Sequence, residues 1–175
     1  MMGSTVRQRV RHLRLAMGSS SAKVLVLGLA ITACAEPAVP ADAIAVGFQE
    51  LQGATRSRSK FGEPQRLVLR RASDFSSFWS GVQGESQEPA LPDVDFAVST
   101  VVAAALGARG STGFEVRVEG VFVMNSEFFV VVRERRPGGT CVTGAAITNP
   151  VTAIVVDELF EEATFVEEVE VYECG

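Results

Sequence analysis

Histidine is all but missing from this 175-residue chain. The single copy, His12, lies in a basic N-terminal stretch. Nothing after it offers an imidazole base, a Ser-His-Asp relay or a histidine metal ligand. The nucleophile elbow G-x-S-x-G, the phosphate-cradling P-loop and the dinucleotide signature G-x-G-x-x-G are absent as well. No apolar run approaches the roughly 20 residues that a membrane-spanning helix needs. Positive charge is also scarce in the body of the chain. Residues 1–33 carry Arg7, Arg9, Arg11, Arg14 and Lys23 and no acid, which leaves 11 cations against 21 carboxylates from Cys34 onward. A domain of that sign lacks the Lys and Arg that hold nucleic-acid phosphates, and it is repelled by anionic lipid. No nucleic-acid partner is expected.

Carboxylates are plentiful: Asp157-Glu158, Glu161-Glu162 and Glu167-Glu168 stand as pairs. A hydrolase or a Ca²⁺ site would need such groups to converge. Asp93-x-Asp95 lacks the glycine and terminal glutamate of an EF-hand loop. Acids alternating along a terminal segment read more simply as the solvated face of a strand, where they also discourage edge-to-edge pairing. A non-enzymatic protein without metal or cofactor is the expectation.

The N-terminus has the order of a secretory leader: cations, the ten-residue run 24–33, then Cys34. Leu29-Ala30-Ile31-Thr32-Ala33-Cys34 resembles the bacterial lipobox. That resemblance implies cleavage before Cys34, a diacylglycerol and an acyl chain on it, and a membrane partner reached through the lipid. Ala35 in the next position resembles lipoproteins sorted to an outer membrane, in a cell that has one. A start at Met17 would already give a leader of usual size, so residues 1–16 are surplus to it. Residues 35–43, AEPAVPADA, read as an extended tether from the lipidated Cys34 to a domain spanning residues 44–175.

That domain is organised around residues 107–139, GARGSTGFEVRVEGVFVMNSEFFVVVRERRPGG. Two period-2 segments flank Asn125-Ser126, with turn chemistry at both outer ends, which predicts an antiparallel hairpin. Residues 44–51 read as a weak first strand and 66–71 as a short one. Ser73-Asp74 has the chemistry of a helix cap, and Phe75, Phe78 and Trp79 at i, i+3 and i+4 would bury one face of a short helix. The apolar runs 98–106 and 151–156 suit interior strands, and 164–172 alternates valines with acids. Many strands, one helix and no βαβ alternation predict an antiparallel β-sandwich or partly open barrel with one short helix.

With Cys34 assigned to lipid, Cys141 and Cys174 remain in an exported chain, where a disulfide between them would persist. Two thiols without histidine make metal coordination the weaker alternative.

Several stretches resemble, in order, the C-terminal domain of PrcB, a subunit of a bacterial surface protease complex. They are Phe75-Ser76-Ser77-Phe78-Trp79, Pro92-Asp93-Val94-Asp95-Phe96, Ser111-Thr112-Gly113-Phe114, Pro137-Gly138, Cys141 and Thr148-Asn149-Pro150-Val151. The family usually has two glycines and a tyrosine where this chain has Gly113 and Phe114. The resemblance spans about residues 48–174 and implies association with a protease rather than proteolysis. The glycine turn also distantly resembles that of chagasin-type protease inhibitors, whose loop enters the target's cleft. The candidate partner-binding loops are therefore Arg109, Gly110, Ser111, Thr112, Gly113 and Phe114, with Arg135, Arg136, Pro137 and Gly138. An inhibitor would need residues 112–114 to protrude. A third reading is a structural envelope lipoprotein without a specific partner.

Overall fold

The computed structural model describes residues 37–84 and 89–175; the leader, the lipobox and Cys34 lie outside the described residues. In chain order the elements are β1 (Ile44–Val46), β2 (Phe48–Glu50), β3 (Pro64–Leu69), α1 (Ala72–Gln83), β4 (Thr100–Leu106), β5 (Glu115–Met124), β6 (Glu127–Pro137), β7 (Val151–Val156) and β8 (Thr164–Tyr172). They form two four-stranded sheets, β1-β5-β6-β8 and β2-β7-β4-β3. The fold is mainly β, and neither sheet closes into a barrel.

β4 shows why its sequence is apolar without a break. All seven residues are buried. Val101, Ala103 and Ala105 pack with Phe75, Phe78, Trp79 and Val82 of α1. Val102, Ala104 and Leu106 face the other way, onto Val116, Val118, Val130 and Val132 of the opposite sheet. The small alanines leave room for the aromatic side chains of the helix, as interdigitated packing requires. Helix, inner sheet and outer sheet thus make three layers.

The central hairpin forms as its pattern predicts. Met124 pairs with Glu127, leaving a two-residue turn in which Asn125 and Ser126 both have positive φ. That is the turn geometry that suits the twist of paired strands. A register shift between Val118 and Gly120 marks a bulge, and Gly120 lies beneath the ring of Phe122, where a Cβ would meet the ring at 2.5 Å.

Three expectations need correction. The first strand is two strands: the chain passes from the outer sheet to the inner one at Gly47, so β1 pairs with β5 and β2 with β7. Ser73-Asp74 does not cap the helix. The N-cap is Arg71, without a side-chain cap bond, and Asp74 sits in the first turn, 2.7 Å from the Arg71 guanidinium. A carboxylate there still complements the positive end of the helix dipole. Finally, β8 runs parallel to β6. After β7 the chain crosses to the outer sheet through residues 157–163, where Phe160 stacks on Phe128 with ring centroids 4.0 Å apart. β8 therefore starts beside the start of β6 and has to run in the same direction.

These connections give the domain two distinct ends. Ile44 pairs with Val123, so the chain enters at the hairpin-turn end. Glu115 pairs with Arg135, so the glycine-rich turn and the end of β6 lie at the other. The ten residues of β5 separate the two ends by about 30 Å.

Candidate functional site

The predicted loop residues converge at the end opposite the point of entry, and they converge on a carboxylate. Glu134 follows Val130 and Val132 in period-2 phase, so it points inward like them and is 7% exposed. Arg109 from the first loop donates to both of its oxygens at 3.2 Å. Arg136 from the second donates to the same two at 2.9 and 3.0 Å. Burial pushes the Glu134 carboxyl up, yet the hydrogen bonds from Arg136 and Arg109 outweigh it and hold the group below the ordinary carboxylate range. A buried acid is tolerable only when paired in this way.

The first loop is tied along its length. Arg109 exchanges two backbone bonds with Thr148, and Thr148 Oγ1 donates to the Ser111 carbonyl. Thr112 N–H donates to the Gly144 carbonyl, and Gly144 N–H donates to Thr112 Oγ1 at 2.8 Å. Tyr172 Oη donates to the Gly113 carbonyl at 2.9 Å. Phe114 is half-buried with the Arg109 guanidinium 5.8 Å from its ring centre, and Gly110 alone among these residues is exposed with open space around it. Residues 112–114 are therefore a pinned turn and not the free finger an inhibitor of the chagasin type would need.

The second loop joins the first through β8. Arg135 lies over the Tyr172 ring at 4.9 Å and pairs with Glu115 and Glu170. Pro137 comes up against Gly113, and Gly138 N–H donates to the Tyr172 carbonyl at 2.8 Å. Cys141 and Cys174 form the predicted disulfide. Thr140 donates twice to Glu173, which holds that exposed carboxyl below its usual value.

Beyond the disulfide, residues 137–150 carry no charge, and Val142 and Ile147 stand out into solvent. A cleft of about 230 Å³ opens beside Phe114, between residues 114–117 and 55–57. The arginines of the two loops bind carboxylates of the domain itself. Among the described residues no group of three His, Cys, Asp or Glu side chains is placed to share a metal ion. The surface offers shape and apolar side chains.

Sequence reasoning missed Glu134 and Tyr172. The phase of Glu134 with Val130 and Val132 was the available signal, and the charged run Arg133–Arg136 hid it. Tyr172 gave none, because its bond to Gly113 depends on β8 running parallel to β6.

The fold and these two loops define a β-sandwich domain with a rigid loop surface at one end. The family model described as PrcB C-terminal matches residues 100–157. That third of the chain, β4 through β7 with both loops, is similar to that family. The landmarks at Phe75–Trp79, Pro92–Phe96 and Cys174 lie outside the matched stretch. Comparison with curated proteins and with solved structures finds no match.

Proposed function

We propose that this chain is a non-catalytic accessory protein of a cell-envelope protease complex, held by lipid on Cys34 and binding its partner through the two loops. The observation that carries the reading is their convergence. Segments more than twenty residues apart are tied by Arg109, Glu134, Arg136 and Tyr172 into one surface, and both of its loops fall within the PrcB C-terminal match. Binding surfaces are commonly loops held on a rigid scaffold. A surface already ordered costs little further entropy on association.

The polarity of the domain supports the same reading. β1 begins at Ile44, at the end away from the loops. A tether of residues 35–43 spans at most about 30 Å when extended. A lipid on Cys34 thus leaves the loop end free to face away from the membrane, toward another protein.

The test is crosslinking in living cells followed by mass spectrometry, with Cys34→Ala as the unanchored control. One enriched protease, lost on Phe114→Ala and on Pro137→Ala, is the expected result. A diffuse set of abundant envelope proteins, unchanged by both substitutions, would sink it and leave a structural lipoprotein.

A further inference from the structure

Two sheets have four edges, and three of them are blunted. β1 and β2 are three residues each. β3 has only six residues and starts with Pro64, which has no N–H to offer. The fourth edge is β8. It runs nine residues without proline or bulge, in unbroken register with β6 on one side. Among the described residues no strand pairs with its other side. In a parallel ladder, alternate residues turn both N–H and C=O to the same neighbour. About half of the β8 peptide groups therefore face outward unpaired.

Charged side chains often protect such an edge, but on β8 they are engaged elsewhere. Glu167 binds Arg66 across the sandwich at 2.7 Å, Glu168 binds Arg133, and Glu170 binds Arg135 and Arg133. Two apolar residues of alternate position, Val169 and Val171, are left 54% and 59% exposed. They lie just before Tyr172 and Cys174, next to the loop surface.

We propose that β8 is the docking element for an extended segment of a partner protein, which adds to the outer sheet as a fifth strand. This rests on the protein-binding reading above and extends its contact surface from the two loops onto the adjoining strand. Main-chain bonds to the open edge would supply affinity, and contacts at every second side chain would supply selectivity. The segment it fits is neutral or basic, with apolar side chains two residues apart to meet Val169 and Val171. A second copy of this chain is a poor occupant. Any two-fold antiparallel pairing centred on residues 167–168 sets carboxylate against carboxylate, which is unfavourable across a strand pair. The net negative charge of each domain adds to that repulsion.

The test places the photoreactive amino acid p-benzoylphenylalanine at 169, 171 or 114 in the full lipidated chain, in its own cells. One partner should be captured from both 169 and 171. The crosslinked residue on that partner should move two positions along one segment when the probe moves two, which only strand addition requires. Val171→Lys should cut capture from 169 at least tenfold while leaving the melting temperature unchanged. Leu159→Lys at the opposite end should leave capture intact. Capture from 114 but not from 169 or 171 overturns the strand-addition proposal and leaves the protein-binding reading standing. Capture of a second copy, or crosslinks without the two-residue step, overturns it too. Capture from none of the three positions overturns both.

Discussion

Tyr172 and Gly113 meet across 59 residues of sequence, the phenol donating to the glycine carbonyl at 2.9 Å. Gly113 has φ +95°, and a Cβ there would lie 2.8 Å from the phenol oxygen. The position thus needs glycine for its backbone angle and again for the approach of the tyrosine. One hydroxyl couples the last strand to the turn that opens the central hairpin, and with it the proposed docking edge to the loop surface.

Tyr172→Phe should cost about 1 kcal/mol, the ordinary worth of one hydrogen bond, and quicken amide exchange in residues 111–114. Gly113→Ala should cost more, about 2 kcal/mol, because a side chain at that φ is strained whatever space it has. The double variant should lose less than the sum of the two, since removing the hydroxyl also removes the obstacle to the new methyl. Denaturant titrations of all four proteins measure the coupling. Strict additivity would mean that the two residues do not touch.

The disulfide closes a loop of 33 residues between Cys141 and Cys174. On the chain-entropy account, Cys141→Ser with Cys174→Ser should lower stability by roughly 3–4 kcal/mol. That corresponds to a melting temperature about 10 °C lower for a domain of this size. Hydrogen exchange should show β8 fraying from its loop end, near Tyr172, while residues 165–167 stay protected by Phe165 in the core. A variant with the parent's melting temperature and unchanged exchange at residues 170–172 would show that the β6 ladder alone secures the strand.

Much of the fold was legible because its signals are local. The hairpin follows from alternation around Asn125-Ser126, α1 from Phe75, Phe78 and Trp79, and the burial of β4 and β7 from unbroken apolar runs. What was not legible depends on partners distant in sequence. A strand of alternating valines and acids reads the same whether its neighbour runs parallel or antiparallel, so the direction of β8 could not be read. Ile44 to Leu51 gives no sign that Gly47 is a crossing between sheets. Within the site, the loop residues were found from turn chemistry. Glu134 was hidden among arginines, which look like solvent-facing charge until two of them are seen to close on one buried acid.

Trp79 is 1% exposed and donates from Nε1 to the Pro89 carbonyl at 3.0 Å, so it is a core residue and not a platform for a ligand. Trp79→Ala should destabilise by about 3–5 kcal/mol, the usual cost of deleting a large buried aromatic. Trp79→Phe should cost far less, because the Gln83 side chain still donates to the same carbonyl at 2.8 Å. At temperatures where both variants remain folded, partner capture from the loop end should match the parent. Weaker capture by folded Trp79→Phe would tie α1 to binding.

Acid should weaken this domain, and Glu134 sets much of the direction. Its carboxyl has a lower pKa folded than unfolded, because the bonds from Arg136 and Arg109 favour the charged form more than burial opposes it. A depressed folded pKa means stability that is complete above the unfolded carboxylate value, about 4.3, and lost as pH falls through the folded one. Glu173, bonded by Thr140, acts in the same direction. Unfolding free energy should therefore decline from near pH 5 downward. Glu134→Gln should be about 2 kcal/mol less stable at pH 7, the scale of hydrogen bonds to a charged group. It should also lose part of the acid dependence, so that the two stability curves converge toward pH 3. Curves that stay parallel from pH 7 to pH 3 would mean that Glu134 titrates alike in both states, and that Arg109 and Arg136 do not clamp it in solution.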